Sequence, residues 1–422
     1  MKYGVPIQKH IFIGGMAGKK PVVPVNYEQL EQKAKSALSA EAFAYIAGGA
    51  GQGNTMISNR KAFADYELKG NMMRASSEID LGVKLFGKEY STPLIAAPVG
   101  VLELANPQAD LAVAKACKTL NIPMIFSNQA SYSIEECAEV MDENPRWFQL
   151  YWSKSDELVE SFIRRAEKSG CEAIVVTLDT TSLGWRPQDL DLGYLPFLHG
   201  LGLAQYSSDP IFNKIVDQNL ADGIMKSGDK PPINFRTLKN VLGVCRKYPG
   251  SFWANLRTQR AMAAVRTFIN IYMRPELRWE DLPRLRTMTD LAILVKGVHT
   301  AEDAQLAIKH EVDGIIVSNH GGRQIDGAVG ALKCLDNINR ELGQEIPLIF
   351  DSGIRSGADV IKALALGADA VLIGRPYVYG LAVAGEKGVE AVFRHFLAEI
   401  ELQLSLMGID SIHTLDRSVL ED

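Results

Sequence analysis

The chain has 422 residues, of which 47% are hydrophobic and 23% are charged. This composition is that of a globular protein with a large core, and it excludes a disordered chain, a collagen-like fibre and a coiled coil. With 45 Lys and Arg against 50 Asp and Glu, the net charge of -5 offers no basic excess for general nucleic-acid binding.

No uninterrupted apolar stretch is long enough to cross a bilayer, and the apolar run at residues 11–13 is too short for a secretory signal. The cysteines show no CxxC pair and are odd in number; they are Cys117, Cys137, Cys171, Cys245 and Cys334. We therefore expect a cytoplasmic protein in which these thiols are reduced and mostly buried.

Short apolar runs alternate with helical stretches from about residue 93 onward. Most runs are continuous rather than alternating, which is typical of parallel strands buried on both faces. The eight runs cover residues 93–97, 123–126, 147–150, 173–176, 292–295, 314–317, 347–350 and 370–373. Cap residues and exit glycines predict helices over 155–168, 300–309 and 356–366.

The interval between the fourth and fifth runs is much longer than the others, at roughly 115 residues. Without this excess and without the N-terminal part, roughly 250 residues remain, the usual size of a (β/α)8 barrel. We predict a TIM barrel with an N-terminal extension over 1–90, strands 1–4 in 91–199, an insertion over 200–285, and strands 5–8 with C-terminal helices in 286–422. The alternative is an open doubly wound sheet, which the missing GxGxxG after the first strand disfavours.

Polar residues cluster directly after the predicted strands, at the edge where the active site of a barrel lies. They include Ser127, Gln129, Tyr151, Thr177, Asp179, Arg186, Lys296, Ser318, His320, Arg323, Asp351, Arg355 and Arg375. A lone Lys or Arg at a strand end is usually solvated, but His, Asp, Lys and several Arg at one face indicate an active site.

Glycines and arginines after the last two strands predict a phosphate site. Gly353 and Gly374 let backbone N–H groups approach a phosphate, and Arg355 and Arg375 add charge-assisted hydrogen bonds. Barrel enzymes commonly bind phosphate at this position. The ligand is either a cofactor or a phosphorylated substrate; the alternative is that the glycines only end the strands.

His320 stands among glycines at the end of strand 6, where a side chain can meet a ligand. With Asp179 as its carboxylate partner, it would act as a general base. The alternative is a structural histidine. The other histidines show no ligand spacing, so no metal site is expected.

A further group of side chains offers two guanidinium forks and two hydroxyl donors, which suit a carboxylate. The group consists of Tyr45, Tyr151, Arg186 and Arg323. The alternative is four unrelated side chains at or near the surface.

Five segments closely resemble the signature of the FMN-dependent L-2-hydroxy acid oxidising enzymes. They are SNHGGRQ at 318–324, LVKGV at 294–298, FDSGIR at 350–355, IGRP at 373–376 and FQLY at 148–151. The resemblance runs from Tyr45 to about Leu415 and is interrupted only in the insertion. It implies an FMN enzyme that takes a hydride equivalent from the Cα of a 2-hydroxy acid, in a tetramer or octamer.

The resemblance also implies a role for each residue at the predicted site. His320 would take the substrate's proton, Asp179 would stabilise its charged form, and Lys296 would lie by flavin N1. The substrate contacts would be Tyr45, Gln129, Tyr151, Arg186 and Arg323. The cofactor contacts would be Ala97, Pro98, Val99, Gly100, Ser127, Gln149, Thr177, Lys296, Ser318, Asp351, Gly353, Arg355, Gly374 and Arg375.

One position bears on how the reduced flavin is reoxidised. Oxidases of this family often carry alanine where this chain has Gly100, whereas Gly100, the insertion and the run at 184–190 resemble the lactate 2-monooxygenase branch. That branch converts L-lactate and O2 to acetate, carbon dioxide and water. The alternatives are an oxidase that releases the 2-keto acid and H2O2, or a membrane-associated dehydrogenase that uses quinone. Gln129 replaces an apolar or aromatic residue, so a more polar substrate stays open.

The insertion is basic and aromatic in its centre. Residues 239–274 contain no Asp or Glu, and their Lys and Arg alternate with aromatic residues such as Phe252, Trp253, Phe268 and Tyr272. Such a stretch can lie on an anionic membrane surface. We favour a lid or a subunit contact whose apolar face packs on the barrel.

Overall fold

The computed structural model describes residues 1–74, 78–223, 232–343 and 345–421. Parallel strands close into an eight-stranded barrel, numbered here as barrel strands 1 to 8 in chain order. They span Leu94–Ala96, Met124–Phe126, Arg146–Leu150, Ala173–Thr177, Ala292–Val298, Gly314–Val317, Leu348–Phe350 and Ala370–Ile373. The circle closes where strand 8 pairs with strand 1, with Ile373 beside Ala96. The predicted TIM barrel is confirmed.

The strands lie where the continuous apolar runs predicted them, because the barrel interior covers one face and helices cover the other. Strands 4 and 6 are buried at every residue. Strand 5 extends beyond its predicted end to Val298. Its pairing with strand 6 shifts register between Lys296 and Val298, so the end of this strand carries a bulge.

Helices alternate with the strands and pack around the barrel. After strands 1 to 3 they are Ala109–Leu120, Ile134–Met141 and Asp156–Lys168; after strands 5 to 8 they are Ala301–Lys309, Ala331–Leu342, Gly357–Ala365 and Arg375–Met407, the last interrupted at Ala384 and Gly385. The three predicted helices begin at their expected caps, Ser155, Thr300 and Ser356. Each cap side chain accepts a backbone N–H from the first turn, which satisfies a group that the helix itself leaves unbonded.

The N-terminal region packs on the outside of the barrel. Its helices are Gly4–Met16, Tyr27–Ala37, Ala40–Ala47 and Asn54–Ala64, and its strand Glu67–Leu68 pairs antiparallel with Leu420–Glu421. A hairpin of Val83–Leu85 and Lys88–Tyr90 covers the N-terminal end of the barrel, where the Phe86 and Tyr90 rings contact Trp147 of strand 3. The opposite end of the barrel stays available for a site.

The chain between strands 4 and 5 folds into short helices. They are Pro187–Asp191, Ala204–Ser207, Pro210–Ala221, Phe235–Lys247, Phe252–Thr258, Arg260–Ile271 and Pro283–Arg286. Single turns of 3-10 helix occur at Leu102–Leu104, Pro196–His199, Trp279–Asp281, His320–Gly322, Ile412–Thr414 and Arg417–Val419.

The insertion packs an aromatic face inward. Phe268 and Tyr272 are buried, and the Phe268 ring centroid lies 4.8 Å from that of Tyr206, whereas Trp253 is exposed. Within the described ranges, no helix has the length and apolarity needed to span a bilayer. The function of residues 200–285 as a lid or subunit contact stays a prediction, and residues 224–231 of this segment lie outside the described residues.

The five cysteines are all buried and form no disulfide. Burial raises the pKa of the Cys334 thiol to about 11. The burial of all five agrees with the expectation that the thiols are mostly buried.

Candidate active site

A cavity lies at the C-terminal ends of the barrel strands, on the side predicted for the active site. It brings together Tyr45, Ala97, Pro98, Val99, Gly100, Gln129, Tyr151, Arg186, Lys296, His320, Arg323, Asp351, Gly374 and Arg375. The remaining lining consists of Ile46, Thr180, Leu183, Phe197, Gly321 and Val378. The other predicted residues lie behind this wall or at an adjoining cavity.

Asp179 follows strand 4 and His320 follows strand 6, and their side chains meet at the cavity. The Nδ1 atom of His320 is 2.8 Å from Oδ1 of Asp179, and the Thr180 hydroxyl donates to the same oxygen at 3.0 Å. Burial alone would raise the pKa of Asp179, but the hydrogen bond from His320 and the positive charge of Lys296 hold it well below its usual value. Asp179 is therefore a carboxylate that accepts the Nδ1 proton, which leaves Nε2 of His320 with a lone pair.

Burial lowers the pKa of His320, and Asp179 only partly opposes that shift. The imidazole is therefore neutral at neutral pH and can accept a proton. The bulge in strand 5 makes room for this pair. Gly297 adopts a φ of +105°, and a Cβ there would lie 2.7 Å from the Cβ of Asp179. Only glycine suits both the conformation and the contact.

Lys296 lies at the end of strand 5 and is buried. Its Nζ atom donates to Oγ of Ser318 at 2.9 Å and lies 3.1 Å from Oδ2 of Asp351. Burial would raise the pKa of Asp351, but Lys296 and the Ser318 hydroxyl bring it below the usual value. Ser318 and Asp351 hold the Lys296 ammonium in the cavity wall, where it can stabilise negative charge on a ligand.

A row of buried polar groups links the ends of strands 2, 3 and 4. Ser127 donates to Oε1 of Gln149 at 3.2 Å, and Nε2 of Gln149 donates to the Thr177 hydroxyl at 3.0 Å. All three side chains are buried. They form an ordered row of donors and acceptors beside the cavity, as a planar heterocycle would need at its edge.

Arg186, which is buried, and Arg323, which is half-buried, place two guanidinium groups at the cavity. Arg323 donates to the backbone oxygens of Tyr45 and Gly48, and it has no carboxylate oxygen within 4.0 Å in the described part of the chain. Burial, together with the charge of Arg186, lowers the pKa of Arg323 to about 9. Asp189 lies 4.0 Å from Arg186, but Arg323 has no carboxylate this close among the described residues. The pair therefore keeps excess positive charge, which favours an anion, and a carboxylate matches the guanidinium forks.

Tyr151 adds a hydroxyl donor to this anion site. Burial raises the pKa of Tyr151, so the phenol keeps its proton. Tyr45 lies beside the guanidinium of Arg323, whose Cζ atom is 5.0 Å from the centroid of the Tyr45 ring. The structure thus brings together all four side chains that the sequence suggested for a carboxylate.

A second cavity adjoins the first beside Arg375. Its lining includes Tyr27, Glu31, Asn59, Arg60, Gly353, Arg355 and Ser356, and it shares Gly321 and Arg375 with the first cavity. The guanidinium of Arg375 bonds backbone oxygens of Ile46, Gly48 and Gly321. Burial lowers the pKa of Arg375, and neither it nor Arg355 has a carboxylate within 4.0 Å among the described residues. Two such guanidiniums fit a phosphate.

The two joined cavities fit FMN as one ligand. The first offers Lys296 to a ring and has the polar row of Ser127, Gln149 and Thr177 behind its wall, and the second offers Arg355 and Gly353 to a phosphate. Gly353 has a φ of +94°, in the left-handed region that favours glycine.

Sequence reasoning placed Tyr45 at the site but missed two other residues of the N-terminal region. Arg60 donates to the backbone oxygen of Gly353 at 2.6 Å and pairs with Asp359 at 2.7 Å. Tyr27 lies at the same cavity. Neither residue follows a barrel strand, so no positional signal marked them. Thr180, which directly follows Asp179, could have been found from its place at the end of strand 4.

Comparisons with known proteins agree with this geometry. The sequence model of the FMN-dependent dehydrogenase family matches residues 34–422. An FMN-dependent alpha-hydroxy acid dehydrogenase of Penicillium citrinum is 38% identical over 96% of this chain and 93% of its own length. An L-lactate oxidase of Lysinibacillus sphaericus is also 38% identical, over 93% of this chain and 91% of its own length.

A solved structure gives the same fold. The crystal structure of mandelate oxidase is 31% identical in sequence and superposes with a TM-score of 0.73, covering 94% of this chain and 98% of that chain. The family match begins in the N-terminal region and includes every barrel strand. The chain belongs to the FMN-dependent dehydrogenase family, and FMN is its cofactor.

Proposed function

We propose that this FMN-dependent 2-hydroxy acid oxidoreductase acts on L-lactate with O2 as electron acceptor, as a lactate 2-monooxygenase. The observation that carries the reaction is the pairing of neutral His320 with Asp179 in a cavity that also holds Arg186 and Arg323. A base and a carboxylate site in one cavity are what the oxidation of a 2-hydroxy acid requires.

The cavity residues bind the two polar groups of the substrate separately. Arg186, Arg323 and Tyr45 bind the substrate carboxylate, while the protonated Tyr151 hydrogen-bonds the substrate hydroxyl. This orientation presents the hydroxyl proton to Nε2 of His320 and fixes the Cα–H bond.

His320 accepts the hydroxyl proton as the hydrogen on Cα leaves as a hydride equivalent. Asp179 stabilises the imidazolium that forms, because the two groups are hydrogen-bonded at 2.8 Å. FMN, when bound, supplies the acceptor for the two electrons. Lys296 places a fixed positive charge in the cavity wall, where it offsets the negative charge that the reaction adds.

The monooxygenase outcome rests on space and closure. Gly100 lines the cavity, and a Cβ there would lie 3.1 Å from the Cβ of Gln129, closer than ordinary side-chain packing. Leu183 and Phe197, from the segment after strand 4, line the same cavity. Extra space beside Gly100, together with closure of the cavity by the segment that carries Leu183 and Phe197, would retain the keto acid while O2 reacts.

An oxidase that releases pyruvate and H2O2 is the second candidate function. The similarity to an L-lactate oxidase over nearly the whole chain favours it. Both candidates share the reductive half-reaction and differ only in what leaves after O2 has reacted.

One experiment tests both steps. Anaerobic addition of L-lactate to the purified holoenzyme should bleach the flavin absorption bands. Admission of air should then yield acetate and carbon dioxide, whereas pyruvate with stoichiometric H2O2 would assign the chain to the oxidases. Bands that persist with L-lactate but bleach with a more polar 2-hydroxy acid would exclude lactate as substrate and would implicate Gln129.

A further inference from the structure

An aromatic side chain from outside the barrel lies at the phosphate end of the cofactor site. Tyr27 is the first residue of helix Tyr27–Ala37. The Cζ atom of Arg355 lies 4.5 Å from the centroid of the Tyr27 ring, within the range of a cation–π contact. Both side chains line the second cavity together with Gly353 and Arg375.

Two helices hold the Tyr27 ring in place. Tyr379, in the long C-terminal helix, has its ring centroid 6.0 Å from that of Tyr27. The Tyr379 hydroxyl donates to Glu31 at 2.8 Å, and Glu31 lies one turn after Tyr27 on the same helix. Phe43 stacks on Tyr379 with a centroid distance of 6.4 Å. The Tyr27 ring therefore packs against Tyr379, which is itself held by Phe43.

This arrangement supports Arg355 without neutralising it. No carboxylate lies within 4.0 Å of the Arg355 guanidinium in the described part of the chain. Glu31, on the wall of the same cavity, is engaged by Tyr379. Burial raises the pKa of Tyr27 although Arg355 and Arg375 oppose this, so the ring carries no negative charge. A carboxylate here would compete with a phosphate for Arg355, whereas an aromatic face does not.

We propose that Tyr27 is a positioning residue for the FMN phosphate. Its ring face holds the Arg355 guanidinium in the second cavity with its charge available, and helix Tyr27–Ala37 thereby becomes a wall of the cofactor site. Arg355 and Arg375 bind the phosphate, and Tyr27 affects phosphate binding only through Arg355.

The test compares a flavin that carries the phosphate with one that lacks it. FMN and riboflavin are loaded separately into the full-length apoprotein, and release is followed after dilution by the fluorescence of the free flavin. Tyr27→Leu keeps apolar volume but removes the aromatic face. It should release FMN about fivefold faster than the wild type and leave riboflavin release unchanged. Tyr27→Phe keeps the ring and should release both flavins at wild-type rates.

Tyr3→Leu is the matched control, because the Tyr3 ring also lies under a cation, the Lys2 ammonium at 5.2 Å, but away from both cavities. It should change neither rate. Equal acceleration of FMN and riboflavin release by Tyr27→Leu would assign Tyr27 a merely structural role and overturn the proposal. Unchanged FMN release would overturn it as well, and so would an effect of Tyr27→Phe as large as that of Tyr27→Leu.

Discussion

Burial and neighbouring groups determine the protonation of the two side chains at the centre of the site. Asp179 stays ionised because His320 and Lys296 offset its burial, while His320 is neutral because burial outweighs Asp179. A histidine left in water would be half protonated near its ordinary pKa of about 6.5. The buried histidine is ready to accept a proton over a wider pH range.

This protonation state predicts a pH dependence with a defined sign. Only neutral His320 can accept the substrate proton, so kcat/KM should be constant at neutral pH and fall as the pH drops through the pKa of His320. Because burial lowers that pKa, the midpoint should lie below pH 6.5. The profile is measured with L-lactate at saturating O2. A midpoint above pH 7 would contradict the assignment.

Asp179→Asn removes the charge that favours the imidazolium. The pKa of His320 should fall further, and anaerobic flavin reduction should slow about a hundredfold or more. The amount of bound FMN is measured from its absorbance in each variant, because a protein that has lost FMN would also show no flavin reduction. A variant that keeps its flavin and reduces it at the wild-type rate would remove Asp179 from the mechanism.

Gly100→Ala tests the oxygen outcome at a single position. The added Cβ would meet Gln129 at about 3.1 Å and narrow the cavity. We expect a larger share of turnover to release pyruvate and H2O2, with anaerobic flavin reduction changed less than tenfold. The ratio of acetate to H2O2 is the measurement. An unchanged ratio would show that Gly100 does not set the outcome.

Individual elements show which parts of the structure were predictable. Continuous apolar runs predicted all eight barrel strands, because strands buried on both faces need apolar residues at every position. The bulge at Gly297 was not predicted, since an isolated glycine in a strand does not say which neighbour approaches it. Tyr27 and Arg60 were not assigned to the site. The sequence of a helix predicts which face is buried, but it does not predict which distant part of the chain packs against that face.

The first helix offers a prediction at this scale. Helix Gly4–Met16 is held at its start by Glu401, whose buried carboxylate accepts backbone N–H groups of Lys2, Tyr3 and Gly4 at 2.6 to 2.8 Å. Glu401→Gln removes the charge from this cap and should destabilise the docked helix by about 1–3 kcal/mol. Hydrogen exchange in residues 4–16 should accelerate while flavin reduction stays unchanged.

Glu390→Gln is the comparison for this variant, because Glu390 pairs with Arg394 on the same long helix near the surface. Its effect on exchange in residues 4–16 should be negligible. Equal protection of the first helix in Glu401→Gln and the wild type would show that apolar packing alone holds it.

Across the whole molecule, the joined cavities concentrate positive charge in a chain whose net charge is -5. Arg355 and Arg375 have no carboxylate within 4.0 Å in the described residues, so the apoprotein contains repulsion that an anionic ligand relieves. Binding of the cofactor should therefore stabilise the entire fold and not the site alone.

Thermal unfolding of the apoprotein measures this effect. FMN at a hundred times its Kd should add about 2.7 kcal/mol to the free energy of unfolding, and Tm should rise with FMN concentration. Inorganic phosphate alone should also raise the Tm of the apoprotein, whereas potassium chloride at equal ionic strength should not. A phosphate effect no larger than that of chloride would argue against an anion site at Arg355 and Arg375.

The second cavity joins parts of the chain that are made at very different times. Tyr27 and Arg60 are synthesised long before Gly353, Arg355 and Arg375, and Glu67–Leu68 waits still longer for its partner Leu420–Glu421. The early helices therefore leave the ribosome without the surface on which they dock. The site for FMN is therefore incomplete until Arg375 has been synthesised, and cells short of this flavin should accumulate cofactor-free protein.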